Sequence, residues 1–222
     1  MKCTCFFCPE KRFSLNESVG LLGEKSIVYQ DDNVFVTPDI SPLVIGHLLI
    51  VSKKHINSFA SGNDAILESL EVAKKYLSKT VFNERKFAFF EHGAIIENSA
   101  GSSIDHAHIH GIPLDKDIDI DQYIASCEYI TSSKVAYSHD ILKYYQASQQ
   151  PYIYYQICDG QGWVYPVDYL PHQFFRMMMA SFVPVEYNWK INYKTKQSIN
   201  SFNMTLNRTK QVLHSSLAVN EV

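Results

Sequence analysis

The chain has 222 residues, 46% of them hydrophobic and 19% charged, with a formal net charge of −3 at pH 7. This is a globular composition, long enough for one large domain or for a domain with an extension. The charge balance gives no polycation argument for nucleic acid or an anionic membrane, and no run of about 18 apolar residues could span a bilayer. The opening "MKCTCFFCPEKRF" is too poor in apolar residues and too rich in cysteine to read as a signal peptide, so a cytoplasmic protein is expected.

The five cysteines are Cys3, Cys5, Cys8, Cys127 and Cys158. An odd count with three at the start is a poor disulfide framework, whereas Cys5-Phe6-Phe7-Cys8 has the spacing of a metal-ligand pair. Alone, that pair leaves both a metal site and two ordinary small residues open. Next come "SIVYQ" (26–30), "NVFVTPDI" (33–40) and "HLLIVSKKH" (47–55), rich in β-branched and aromatic residues and bounded by turn formers, which predict strands. Asp31-Asp32-Asn33 between the first two predicts a hairpin. From Asn63 to Val81 the period changes: Ile66, Leu70, Ala73 and Leu77 share one helical face, with Asn63 or Asp64 as N-cap. Two more strands are predicted over "KFAFFEHG" (86–93) and "IDHAHIHGI" (104–112). The first 113 residues thus read as an antiparallel sheet plus one long helix, an α+β arrangement.

After a break in character at about 113–140, the pattern is less regular. "DIDIDQYIASCEYI" (117–130) predicts a helix opened by acidic residues. "PYIYYQIC" (151–158) and "GWVYPVDY" (162–169), around Asp159-Gly160, predict a second hairpin. "HQFFRMMMASF" (172–182) predicts a short helix, and "SINSFNMTLNRTKQVLHSSL" (198–217) a C-terminal one. The aromatic content of this half predicts an extension packed on the sheet.

The most informative stretch is "SSIDHAHIHGIP", Ser102 to Pro113. In a strand, His106, His108 and His110 point to one face, about 6.6–6.8 Å apart in succession, while Ala107 and Ile109 face the core. A merely His-rich surface strand is the plain alternative. Two chemistries compete: imidazoles converging on one catalytic metal, or a neutral imidazole acting as nucleophile with its neighbours as helpers. Gly101, Ser102 and Ser103 just upstream favour the second, because such turns offer N–H groups and hydroxyls to phosphate oxygens.

"HAHIHGI" resembles the His-φ-His-φ-His-φ-φ signature of the histidine triad (HIT) superfamily of nucleotide hydrolases and transferases. "DDNVFVTPDISPLVIGHLLIVSKKHI" (31–56) resembles its earlier strands, and "CFFC" the cysteine pair of its zinc-binding members. The resemblance covers residues 3–113 and implies a HIT-like domain over 1–113, with 114–222 as a C-terminal α/β extension packed on that core and not independent. It implies that His108 attacks an α-phosphorus and forms a nucleotidyl-histidine intermediate. His110 and Ser103 would contact the phosphate, with Gly101 and Ser102 beside them. His47 matches a further active-site histidine, Asp39 the ribose-binding acid and Ile40 an apolar contact to the base. Glu91 aligns with a position where many members have Asn, and the sequence leaves open whether Glu91 or His92 enters the pocket. Cys5, Cys8, His55 and His106 would hold a structural zinc, with Cys3 as a spare thiol.

The activity implied is hydrolysis at the α-phosphate of a nucleoside phosphoanhydride or phosphoramidate, releasing a nucleoside monophosphate. A nucleotidyltransferase or phosphorylase is the nearest alternative. A non-catalytic nucleotide-binding module and a metallohydrolase with its metal at the triad are the others. The expected partner is a small nucleotide, with no membrane and no nucleic acid. Small members of the family are usually dimers. The extension could replace the partner's wall of the pocket or give a different homodimer. The stretch around Gln173 and Arg176 loosely resembles longer members. These two could reach a leaving group, although helix-surface or packing roles are the simpler expectation.

Overall fold

A computed structural model of the chain describes residues 5–97, 101–128, 130–182 and 185–219. The chain enters through helix α1 (Ser14–Ser18) and a first hairpin of β1 (Tyr29–Gln30) and β2 (Val34–Pro38). Asp31 Oδ1 accepts from the N–H groups of Asn33 and Val34, both at 2.8 Å, so the turn closes on its own side chain. β3 (Leu48–Ser52) follows, then α2 (Asp64–Lys79), β4 (Lys86–Gly93) and β5 (His108–Leu114). Asn63 caps α2 by accepting from the Ile66 N–H at 3.0 Å, one of the two caps the sequence offered.

The second half supplies α3 (Ile120–Ala125), β6 (Val135–Ala136), α4 (His139–Ser148), β7 (Tyr152–Ile157), β8 (Gly162–Pro166), α5 (Phe174–Phe182), α6 (Trp189–Asn192) and α7 (Lys196–Val219). The predicted hairpin and the helices near 172 and 198 are present. α4 was not foreseen: it buries only Leu142 and Tyr145, too few residues to show a helical period.

All eight strands belong to one antiparallel sheet in the order β1-β2-β3-β5-β4-β7-β8-β6. β7 pairs with β4 from Ala88↔Ile157 to Gly93↔Tyr152, so the second half continues the sheet of the first. This is the α+β arrangement that the sequence predicts. One face is closed by α2, whose Ile66, Leu67, Leu70, Ala73 and Leu77 pack on Val36, Ile50, Ile109, Phe89 and Tyr152. The other face divides: α3 and α5 cover Ala88, Phe90, Ile112 and Ile153, while the part beneath β2, β3 and the start of β5 carries a cleft.

Candidate functional site

Two of the three triad histidines point to the cleft and the first faces the N-terminal segment. β5 begins at His108, later than predicted, because the backbone of Ala107 is already engaged. Its N–H donates to Ile56 O at 2.6 Å and its carbonyl accepts from the Ser52 N–H at 3.1 Å. From there the pleat alternates as expected, with Ala107 and Ile109 in the α2-face core and His108 and His110 opposite Val51 and Leu49 of β3.

Cys5, Cys8, His55 and His106 form one cluster whose ligand atoms all lie within 4.8 Å of one another. Cys5 Sγ is 3.4 Å from His106 Nδ1, and Cys8 Sγ is 3.1 Å from His55 Nδ1 and 3.8 Å from His106 Nδ1. A tetrahedral Cys₂His₂ zinc site, with Zn–S about 2.3 Å and Zn–N about 2.0–2.1 Å, has ligand-to-ligand edges of roughly 3.3–3.8 Å. His106 is also oriented for ligation. Its Nε2–H donates to Ser52 O at 2.7 Å, so Nδ1 presents its lone pair to the two thiols. The donor set and its spacing therefore fit a metal ion. Cys3 lies outside the described residues.

His108 Nδ1 lies 2.7 Å from the carbonyl of His106. A carbonyl only accepts, so Nδ1 carries the proton and Nε2 keeps its lone pair. A second chain of bonds fixes His110. The Leu43 N–H donates to His47 Nδ1 at 3.2 Å, so the neutral His47 ring is protonated at Nε2. That Nε2–H donates to His110 Nδ1 at 2.9 Å, which leaves the proton of His110 on its own Nε2. The cleft thus receives one imidazole as a base and one as a donor. His47 does not reach the wall and acts through His110. Burial, which disfavours the charged form, is the largest influence on all of them. It holds His47 down at about 4, His108 below the ordinary value and His110 well below it.

Upstream, Gly101 adopts φ +66°, and a Cβ there would come within 2.4 Å of Pro171 O. Its carbonyl accepts from the Gln173 N–H at 2.9 Å, which ties the loop to the start of α5. Ser102 is spent on the turn itself, its Oγ donating to Ile104 O at 2.7 Å. Ser103 Oγ is buried with no hydrogen-bond partner. Ser103 lines the cleft, so its hydroxyl is open to a ligand there.

The cleft is partly enclosed and opens to solvent at its mouth. Its floor is His108 and His110, and its polar rim is Ser102, Ser103 and Asp39. Ile40 lines it, as do several residues the sequence reading did not single out: Phe6, Phe7, Phe13, Phe175 and Trp189. One signal was available. Phe6 and Phe7 lie between Cys5 and Cys8, so the gathering of both cysteines beside His106 brings Phe7 to 5.6 Å from the ring of His106 and 5.4 Å from that of His108. Gly101 is not among the residues that line the cleft.

The choice between Glu91 and His92 is settled by strand parity. Phe90 pairs with His110 across β4 and β5, so His92 falls on the cleft face and Glu91 on the other. His92 lines the cleft, stacks on Phe175 at 4.5 Å and accepts from the Phe175 N–H at Nε2, 3.2 Å away. Burial pushes it down to about 3. Glu91 instead accepts from the Phe59 N–H and the Tyr152 hydroxyl, both at 2.7 Å, beneath the sheet.

Gln173 and Arg176 both line the cleft, and both are already bonded. Gln173 Oε1 accepts from the Trp189 N–H at 3.1 Å. Arg176 donates to Asp39 Oδ1 at 2.6 Å and to Ser41 O at 2.9 Å. Burial would raise the Asp39 carboxyl, but the Arg176 charge, then His47 and the Ser41 N–H, hold it below its usual range.

With this geometry in hand, comparison with known proteins is informative. The HIT domain family profile matches residues 23–117. An uncharacterized HIT-like protein of Methanocaldococcus jannaschii is 35% identical over 89 residues, covering 39% of this chain and 67% of that protein. An uncharacterized HIT-like protein of Borreliella burgdorferi is 31% identical over 88 residues, covering 39% of this chain and 63% of that protein. Among solved structures, a hypothetical histidine triad nucleotide-binding protein of Sulfolobus tokodaii is 26% identical, with a TM-score of 0.37 over 53% of this chain and 74% of that one. The two sequence relatives thus match about two fifths of this chain, and the match spans about two thirds of their own length. Over the half that carries the triad, they are decisive: the chain belongs to the HIT family.

Proposed function

We propose that this protein is a nucleotide hydrolase in which His108 attacks the α-phosphorus of a nucleoside phosphoanhydride or phosphoramidate. The observation that carries the reading is the state of the cleft floor. His108 offers an unprotonated Nε2, because its Nδ1–H is held by the His106 carbonyl. His110 turns an N–H towards the same space, and Ser103 Oγ lacks a protein partner there. A nucleophile next to two donors is what transfer of a phosphoryl-bearing group needs, since the donors stabilise charge on the non-bridging oxygens.

In the first half-reaction the Nε2 lone pair forms the N–P bond and the bond from phosphorus to the leaving group breaks. In the second, water attacks phosphorus, the N–P bond breaks, and a nucleoside monophosphate leaves. Neutral rings suit this sequence, because a protonated His108 has no lone pair to give. Asp39 would accept from ribose hydroxyls, Ile40 with Phe6 and Phe7 would flank the base, and Ser102 with Gly101 would shape the phosphate loop. Cys5, Cys8, His55 and His106 would hold zinc in a structural role. Four protein ligands leave no open position for water, so the ion's part is to fix the N-terminal segment against His106.

The test is mass spectrometry of the protein after brief mixing with adenosine phosphoramidate or diadenosine polyphosphates. Wild type is expected to carry a transient nucleotidyl adduct on His108 and to release AMP, and His108→Ala to do neither. Turnover surviving in His108→Ala would remove the nucleophile assignment. Tight binding with no adduct from any substrate would leave a binding module.

A further inference from the structure

The loop from Asp39 to Gly46 joins β2 to β3 and carries two of the proposed nucleoside contacts, Asp39 and Ile40, and side chains from the second half of the chain hold it along its length. Arg176 of α5 grips Asp39 and Ser41. Asn192 of α6 donates to Ser41 Oγ at 3.0 Å. From α7, Ser198 donates to Ile40 O at 3.3 Å, and Thr205 Oγ1 accepts from the Gly46 N–H at 2.9 Å. All four lie outside the matched HIT domain.

We propose that Arg176 is the positioning residue that fixes Asp39 as acceptor of the ribose hydroxyls, so that the C-terminal extension sets a preference for ribonucleotides. The proposal rests on the reading of Asp39 as the ribose contact. The two carboxylate oxygens are in different states. Oδ1 accepts from the Arg176 guanidinium at 2.6 Å and from the Ser41 N–H at 2.7 Å, which fixes its plane. Oδ2 stands 3.8 Å from both His47 Nε2 and His110 Nδ1, beyond hydrogen-bond reach. It therefore keeps its lone pairs for donors entering the cleft, and a ribose diol supplies two.

Arg176 also keeps Asp39 an acceptor. Both side chains are only 6% exposed, and at that depth an unpaired carboxyl takes up a proton and becomes a donor towards the same hydroxyls. Lysine would preserve the charge without the fork, because an ammonium cannot hold the carboxylate and the Ser41 carbonyl in one fixed plane.

Calorimetric titration of the full-length protein with AMP and with 2′-deoxy-AMP tests this without requiring turnover. Wild type is expected to bind AMP about ten- to a hundredfold more tightly, the value of a hydrogen bond to a charged group. Arg176→Lys is expected to lose most of that preference by weakening AMP while leaving 2′-deoxy-AMP nearly unchanged. Asp39→Asn should do the same, and the double variant should lose no more, since both act on one contact. Arg176→Gln, which keeps a donor without the charge, is the second variant should the lysine form fail to fold, and it too should lose the preference. Equal weakening of both nucleotides in the Arg176 variants would mean that Arg176 only props the wall, and the proposal would fall. A wild type without preference would also overturn it. The hydrolase reading fails on a separate result, a wild type that forms no adduct on His108.

Discussion

The two faces of the sheet bury polar groups to similar depth, yet they leave those groups in different states. Beneath the sheet, facing α2, Glu91 takes donors from Phe59 and Tyr152. Lys74 bonds both oxygens of Glu71, and the Tyr137 hydroxyl donates to Glu71 as well. Those groups bond one another, although the buried Ser58 hydroxyl beside them lacks a partner too. On the cleft face, His108 keeps a lone pair, His110 keeps an N–H, and Ser103 keeps a hydroxyl, none of them taken up by the protein among the described residues. Neighbours on one strand show the contrast best. Burial disfavours the charged form of both Glu91 and His92 and so moves them in opposite directions, Glu91 up to about 7 and His92 down to about 3. The same force acts within a packed network on one side and at the wall of a cleft on the other.

The Cys/His cluster is a third case, a polar set that an ion would close, and breaking it should have the largest effect. Chelation of the metal is expected to lower the melting temperature by about 10 °C or more and to abolish AMP binding in the same titration. Phe6 and Phe7 would lose their hold on the cleft wall at the same point. Melting followed by circular dichroism, with calorimetry on the same samples, checks this. Lost turnover with an unchanged melting curve would mean that the ion is catalytic and that the set was never closed.

The cleft face itself is probed by His110→Ala. Turnover is expected to fall on the order of 10²–10³-fold, the usual effect of removing one donor from a developing oxyanion. The melting temperature should move by only a few degrees, because the ring contributes little to either apolar core. Steady-state kinetics and a thermal melt on one preparation make the comparison. A large loss of stability with modest loss of rate would put His110 in the closed class.

Much of this was legible from sequence where a period was strong. The α2 face, both hairpins and the alternation of His108 and His110 follow from spacing alone, while Cys5-Phe-Phe-Cys8 by itself left open the pairing that the Cys/His cluster shows. Two things were hidden, each for a physical reason. β4 is buried on both sides, so its residues show no alternation to say which face Glu91 takes. Arg176 reads as a helix-packing residue because its partner, Asp39, lies 137 positions away. Only the folded chain brings them together.

The smallest effect expected is also the one most specific to the α2 face. Glu91 is buried and its carboxyl is raised from 4.5 to about 7. The folded protein therefore binds its proton more tightly than the unfolded chain does. Stability from this group is fully present below pH 4.5, falls as pH rises towards 7, and levels off above that. The shift alone corresponds to about 3 kcal/mol. Glu91→Gln removes the titration while keeping an acceptor for the Phe59 N–H. Its amide N–H must then be received by the Tyr152 hydroxyl, which already accepts from Ala60 N–H at 3.3 Å. That crowding reduces the gain, so at pH 8 the variant should be more stable by about 2 kcal/mol. At pH 4.5 the two proteins should differ little, because Glu91 is then protonated in the folded chain and half protonated in the unfolded one. Urea melts of both proteins across that pH range read the difference directly, and groups titrating elsewhere cancel between them. AMP binding should be the same in both, since Glu91 faces away from the cleft. A variant that alters nucleotide affinity while leaving the pH dependence of stability intact would mean that the two faces are not separate.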